Sequence, residues 1–412
     1  MLSTLIISVI LLFSGIATAG AGVIVVHPSL PVRNIGQALR LAHDGDTLLI
    51  KNARYRVTDL VIDKPVTLMG ENYPVLDGES KGEVLIIQAN NVTVKGLRIC
   101  NTNKGSLKNY AGIRCEQVKN ITIENNFLEN TLFPVYLPNT SHGVIRNNVI
   151  TGHSSAIESG SGIYLWHAED ILIENNKVSG QRDGIYFEFS THCRVSGNEC
   201  KNNYRYGLHF MFSDHDTYEN NIFINNVAGV AVMYSRHIVM QGNRFERNWG
   251  SAAYGLLLKE INESVISKNL FEKNTTGIYM ESSGRNEFAG NIFRENGRAL
   301  NLLSDCAEDS FRHNYFSGNT FDVSTNGRPE QNAFDYNYWD KYTGYDLNKD
   351  GTGDIPYYPV SLYSKIVENI PYAIVLLHSF MMNLMDEAER AVPSLIPVSV
   401  IDHHPLMHYR PS

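Results

Sequence analysis

The chain has 412 residues, 19% of them charged, and a formal net charge of −8 at pH 7. A mildly acidic chain lacks the basic stripe of a nucleic-acid binder, so no nucleic-acid partner is expected. Its length suffices for a large core in one or two domains, and its 32 glycines, with many asparagines, suit turns and strands better than helices.

An apolar run from Leu5 to Phe13 precedes Ala17-Thr18-Ala19. This has the form of a secretory signal peptide over residues 1–19, with cleavage expected after Ala19. Cleaved or kept as an anchor, it puts the body of the protein in the periplasm. Cys100, Cys115, Cys193, Cys200 and Cys306 are spread too thinly for a disulfide scaffold, and none forms a Cys-x-x-Cys pair. At most one or two bridges are expected, and buried free thiols are the simplest outcome.

Residues 20–80 are expected to form an N-terminal cap and the first coils. Ile35, Ala38, Leu39 and Ala42 share a helical stripe, followed by the apolar strand Thr47–Ile50. A helix here would cover the exposed edge of the first coil of a stacked array.

Residues 81–340 repeat. The pattern Asn-x-large recurs at Asn125/Phe127, Asn147/Val149, Asn176/Val178, Asn198/Cys200, Asn221/Phe223, Asn243/Phe245, Asn269/Phe271, Asn291/Phe293, Asn314/Phe316 and Asn337/Trp339. The spacings are 22, 29, 22, 23, 22, 26, 22, 23 and 23 residues. Such periods mark solenoids or propellers, and each holds short apolar strands between Asn, Gly and Ser corners. The predicted fold is all-β, a right-handed parallel β-helix with one coil per period of about 23 residues. In six coils a Gly stands fourteen residues before the Asn: Gly162, Gly184, Gly207, Gly229, Gly255 and Gly277. Gly is expected there for the backbone angles of a corner, Asn for an amide ladder and the large residue for a stacked core. The 26- and 29-residue periods predict protruding loops.

Three adjacent coils carry near-identical lines: Gly184-Ile-Tyr-Phe-Glu-Phe-Ser, Gly207-Leu-His-Phe-Met-Phe-Ser and Gly229-Val-Ala-Val-Met-Tyr-Ser. Alternation sends Ile185, Phe187, Leu208, Phe210, Val230 and Val232 to one face and Tyr186, Glu188, His209, Met211, Ala231 and Met233 to the other. His209, Met211 and Met233 then form an outer patch beside Glu188 and Trp166. An imidazole with two thioethers is a soft ligand set that selects Cu(I). The competing reading is an apolar patch on which a loop or partner packs. His192, His215 and His237 share the offset eight residues after Gly. They form either a column able to hold copper or a polar corner ladder.

Residues 341–412 break the repeat. Asp346, Asn348, Asp350, Gly351 and Asp354 match the first, third, fifth, sixth and ninth positions of a calcium loop, but Tyr357 replaces the bidentate Glu. A structural Ca²⁺ is one expectation there. Residues 372–392 lack Pro and Gly and read as one helix, apolar at its start and charged at its end. Its apolar run is too short to span a bilayer and suits either a membrane surface, a membrane partner or packing on the rod.

Arg182-Asp-Gly-Ile-Tyr-Phe-Glu-Phe-Ser, Tyr204-Arg-Tyr-Gly-Leu-His-Phe-Met-Phe-Ser, Gly229-Val-Ala-Val-Met-Tyr-Ser, Tyr254-Gly-Leu-Leu-Leu-Lys and Tyr338-Trp-Asp-Lys-Tyr-Thr-Gly-Tyr-Asp resemble the NosD family, periplasmic maturation proteins of nitrous oxide reductase. The closing Asp402-His-His-Pro-Leu-Met407 resembles that family's C-terminus too. The resemblance covers nearly the whole mature chain. It implies a non-enzymatic protein that handles copper, or sulfur, for assembly of the reductase's copper–sulfide centre. The implied partners are the permease and ATPase of a membrane ABC transporter, a copper-carrying lipoprotein and the reductase itself. The residues placed at Cu(I), led by His209, Met211 and Met233, come from the outer strip and not from the family. Two readings stay open beside this one. A carbohydrate-active β-helix enzyme would need paired acids on adjacent strand positions, which the strip does not offer. A structural adaptor would use the strip to bind protein instead of metal.

Overall fold

A computed structural model describes residues 21–105, 108–152, 159–327, 331–376, 384–385, 387 and 400–408. The expected signal peptide and most of the expected helix at 372–392 lie outside the described residues.

Three parallel sheets of 14, 12 and 13 strands run the length of the molecule, each strand pairing with its counterpart one coil away. This is the expected all-β parallel solenoid, about thirteen turns long. At a strand spacing of about 4.8 Å it is a rod roughly 60 Å long. Helix Ile35–Leu41 covers its first coil and buries Ile35, Ala38 and Leu39. Asn34 caps that helix by accepting the Gln37 N–H at 2.9 Å. All five cysteines are buried free thiols.

The interior is filled by columns. Phe245, Phe271, Phe293, Phe316 and Trp339 stack ring on ring, at 4.1–5.0 Å between centroids. Beside them runs a buried Asn ladder. The Oδ1 of Asn198, for example, accepts both the N–H (2.9 Å) and the Nδ2–H (3.0 Å) of Asn176, while Asn198 Nδ2 donates to the Ile173 carbonyl at 2.9 Å. Asn274, which stands in an apparent glycosylation sequon, is fully buried in a second such ladder and donates to Asn296.

Two expectations are corrected here. In the first two coils the ladder residues are Asn126 and Asn148, not Asn125 and Asn147. Asn125 and Asn147 take the left-handed corner at φ 54° and 55°. Leu128 and Ile150 consequently point inward, and Phe127 and Val149 do not. The repeated glycines are not corner residues in unusual angles either. A Cβ on Gly184 would lie 2.4 Å from the Gly207 carbonyl oxygen, and one on Gly207 would lie 2.7 Å from that of Gly229. They are required for close approach of neighbouring coils.

The far end is closed by two pieces of chain. A helix at Leu362–Asn369 packs Tyr363 and Val367 on Phe321 at the last strand of the twelve-stranded sheet. This short helix fits between Pro359 and Pro371 and is capped by Ser361. Pro371–Leu376 follows as a 3₁₀ helix, so the chain at Tyr372 is already in a tighter turn than the expected α-helix. The tail then bridges the ends of the other two sheets, pairing Asp402 with Phe334 and Leu406 with Tyr338. Asp402 terminates the Asn ladder, accepting the Asn337 N–H (3.1 Å) and Nδ2–H (2.9 Å) and the Trp339 Nε1–H (2.9 Å).

Two outcomes follow for stability. Asp402→Ala strands buried donors on Asn337 and Trp339 and costs about 3 kcal/mol in chemical denaturation. Asp309 occupies an Asn-type ladder position, where its Oδ1 accepts from Asn286 and its buried Oδ2 has no partner. Burial pushes its carboxyl up to about 7, beyond what the Asn286 bonds offset. The folded protein therefore holds this proton more tightly than the unfolded chain, and stability falls as pH rises from about 4 to about 7. Asp309→Asn raises Tm at pH 8, and the gain vanishes toward pH 4. A gain that is constant with pH overturns this assignment.

Candidate functional site

On the twelve-stranded sheet, Asp183–Glu188, Tyr206–Met211 and Ala228–Arg236 pair in the register anticipated from the repeat. His209 lies between Tyr186 and Ala231, and Met211 lies between Glu188 and Met233. Ile185, Phe187, Leu208, Phe210, Val230 and Val232 are sealed in the interior. Glu188, Met211 and Met233 are half-buried on the outer face.

His209 is 5% exposed. Its ring continues an outer stack that starts with the Arg114 guanidinium over Tyr136 and runs through Tyr164 and Tyr186. Tyr186 lies 4.8 Å from it at 17°, and Tyr206 of the same strand packs against it at 4.9 Å, tilted by 51°. Burial, then the Glu188 carboxylate, pushes the Tyr186 phenol up to about 12 and raises that of Tyr164 as well. Both stay protonated at neutral pH, and Tyr164 donates to Glu188 at 3.0 Å.

Behind His209 stands Asp183, completely buried. Arg205 grips it with both ends of its fork, Nε donating at 2.8 Å. The His209 Nδ1 is 3.8 Å from the same carboxylate and 3.3 Å from Arg205 Nη2. Burial opposes the charge on Asp183, but His209 and Arg205 outweigh it and hold the carboxyl below its usual range. The opposite ring atom, Nε2 of His209, is buried without a hydrogen-bond partner. A buried ring nitrogen without a partner, beside a Met211–Met233 pair in register, fits a soft monovalent metal. A metal-binding imidazole usually donates its other N–H to a carboxylate; here Asp183 stands near that nitrogen but beyond hydrogen-bond distance, and the Arg205 Nη2 donor is closer.

His192, His215 and His237 do form a column, but on a different corner. Their rings stack at 5.3 and 4.7 Å, are exposed, and occupy left-handed positions. His237 pairs with Glu263 at 3.4 Å, as His142 does with Asp170 at 3.3 Å, so charged partners flank the column. Between this corner and the Met strip stands a ladder that alternation hid: His167, Phe189, Phe212 and Tyr234 stack at 4.9–5.1 Å. Period two would turn Phe189 and Phe212 inward, but both sit at positive φ and are 42% and 44% exposed.

The calcium reading finds no support. Asp346 accepts the backbone N–H groups of Lys349 and Gly351, Asn348 that of Asp350, Asp350 that of Thr352, and Asp354 that of Leu347. These side chains hold their own loop in shape. Among the described residues no three His, Cys, Asp or Glu side chains gather as a metal-binding group.

A family model described as periplasmic copper-binding protein (NosD) matches residues 147–348, the stretch that holds the strip and both corner ladders. Proteins named probable ABC transporter binding protein NosD from Pseudomonas aeruginosa and Stutzerimonas stutzeri are 29% and 27% identical to the chain. The first alignment covers 96% of this chain and 94% of the relative, the second 97% and 93%. The chain is a NosD-type protein. Among solved structures, the catalytic domain of a GH87 alpha-1,3-glucanase with nigerose aligns with a TM-score of 0.64 at 13% identity, over 75% of this chain and 68% of that one. A Yersinia enterocolitica family 28 exopolygalacturonase aligns at 0.59 and 10% identity, over 72% and 75%. At these identities the likeness is one of fold. Among the described residues of this NosD-type chain no helix is long and apolar enough to cross a membrane.

Asp183 was legible as an acid of the outer strip, but its partner Arg205, two residues before the glycine of the next coil, was not. Its marker was the paired Arg-Asp-Gly and Arg-Tyr-Gly starts of adjacent coils. Asp183→Ala leaves the Arg205 charge without its partner. It lowers stability by about 3 kcal/mol, at the low end for a buried pair because Arg205 keeps part of its side chain in water. Urea titration of the purified variant measures this.

Proposed function

We propose that this chain receives and passes on Cu(I) on the periplasmic side of the membrane, for assembly of the copper–sulfide centre of nitrous oxide reductase. It does so without catalysis of its own. Copper is its cargo, and His209, Met211 and Met233 are the groups that hold it, with Glu188 at the rim. The observation that carries this reading is the unpartnered, buried Nε2 of His209 next to the paired thioethers. A soft set with half-exposed sulfur ligands suits an ion that must leave again. The names of the family and of the relatives agree with copper and with an ABC transporter as partner.

The transporter's permease and ATPase, a copper-carrying lipoprotein and the reductase are the partners of this reading. Contact with the permease or membrane surface is assigned to the C-terminal end. There Ile370, Tyr372, Val375 and Leu384 are 57%, 87%, 83% and 52% exposed, an apolar group of the kind that marks interaction sites. The histidine column is a corner ladder beside the cargo site and not part of it.

Competition of the purified chain with a chromophoric Cu(I) chelator tests the site. His209→Ala and the Met211→Ala/Met233→Ala pair each weaken binding by at least about tenfold, the scale on which supporting groups alone already act. Wild-type affinity in both variants overturns the ligand assignment. A wild-type chain that fails to compete for Cu(I) overturns the function.

A further inference from the structure

The 26-residue period between Asn243 and Asn269 carries its extra residues at 249–253, and this loop forms one wall of a second site. A cavity of about 230 Å³ opens on the outer face of the twelve-stranded sheet, between the loop and helix Leu362–Asn369. Its floor is Tyr254, Tyr279, Arg298 and Asn301, and Glu368 stands on the helix side. Tyr254 and Tyr279 pack at 4.9 Å with their rings tilted by 44°.

Two atoms here are unexplained by the fold. The Nε of Arg298 is buried without an acceptor, and the Oδ1 of Asn301 is buried without a donor. Leaving such groups bare costs free energy unless something else completes them. The positions are informative. The residue before each repeated glycine and the residue two after it face outward together, as Asp183 and Tyr186 do. One coil holds Asp183 there, and Arg205 of the next coil neutralises it. Arg298 occupies the same position, paired in the ladder with Thr276 and Phe321. No described carboxylate forms an ion pair with it, Glu368 included, and the ring of Phe321 lies 5.8 Å from its guanidinium.

We infer that this cavity binds a small hydroxylated carboxylate, with the anionic group against Arg298, a hydroxyl donating to Asn301 and the carbon skeleton against the tyrosine rings. A guanidinium recognises planar carboxylates, an amide oxygen without a donor calls for O–H or N–H, and the two tilted phenol rings offer an apolar wall. The cavity is below the usual range for drug-sized ligands and suits a single sugar-acid ring or smaller. The inference does not depend on copper.

Isothermal titration of the purified chain with glucuronate, glucose and acetate provides the test. Glucuronate binds, and glucose and acetate bind at least about tenfold more weakly, since each lacks one of the two recognised groups. Arg298→Met, which keeps an unbranched apolar side chain but removes the guanidinium, abolishes glucuronate binding. His209→Ala leaves it unchanged, which separates this site from the copper strip. Circular dichroism confirms that Arg298→Met folds; Asn301→Leu, which removes only the acceptor, weakens binding without touching the Arg298 stem. Absence of glucuronate binding to the wild type, equal binding of glucose, or full binding by both variants overturns the proposal.

Discussion

A parallel stack of coils holds its register only if every coil meets the next at the same residue, and here the buried amide of Asn enforces that. Each ladder Asn offers one oxygen to two donors on the preceding coil and spends its own Nδ2 on a carbonyl. A slip of one residue would leave these groups unpaired in an apolar interior. An amide suits each step, because its oxygen accepts from the preceding coil while its nitrogen donates to a carbonyl, and a carboxylate cannot donate. Asp309 and Asp216 show the alternative. Each is a carboxyl in a ladder position, and burial drives Asp309 up to about 7 and Asp216 up to about 8. At Asp402 the requirement lapses. The ladder ends there, and an acceptor alone suffices for the last donors of Asn337 and for Trp339.

Once register is fixed, the outside of the rod becomes a set of columns too. Chemistry at one position of a coil is placed a strand spacing from the same position on the next. A Met pair, a tyrosine stack and a histidine stack then arise from short repeats with no further design. The corners show what this costs. Asn and Gly take the left-handed region with little strain, and Asn125, Asn147, Asn175, Gly197, Asn220, Gly242 and Gly290 do so at the corner before the Asn ladder. Phe189, Phe212 and Tyr234 hold the same conformation at φ 51–56°, where bulky side chains pay about 1–3 kcal/mol each. Ring stacking at 4.9–5.1 Å offsets only part of it, about 1 kcal/mol per pair.

What could be read from the sequence was whatever repeats at a fixed offset. The Gly-to-Asn interval of fourteen residues set the coil, the core columns and the alignment of Glu188, Met211 and Met233. Where two residues competed for one slot, the interval alone did not decide. In Asn125-Asn126 and Asn147-Asn148 one amide goes to the corner and the other to the ladder, and only the preceding coil's donor selects between them. The interval from Gly112 to Asn126 is fourteen as well, so the right choice was within reach. Alternation failed at Phe189 and Phe212 because a left-handed corner breaks the strand just where they stand. The tail over the last coil was out of reach for another reason. Asp402 meets Asn337 across sixty-five residues, with no local pattern to announce it.

The depth of His209 supports the proposed copper reading of the strip over a patch for protein contact. A patch made only for protein contact would place its apolar groups outward and leave no polar atom without a partner. Met211 and Met233 meet the first condition, and His209 violates the second. The ring packs on Tyr186 and Tyr206, and its Nδ1 lies beside the Arg205–Asp183 pair, so its orientation is set before any ligand arrives. Preorganisation of that kind lowers the ordering cost of binding, and it is wasted on a packing residue. The flexible thioethers beside it supply the opposite property, since unbranched Met side chains adapt at little cost. A fixed nitrogen with two adaptable sulfurs can hold a soft ion and also yield it to a competing set. A rigid three-point cage would hold the ion and could not pass it on.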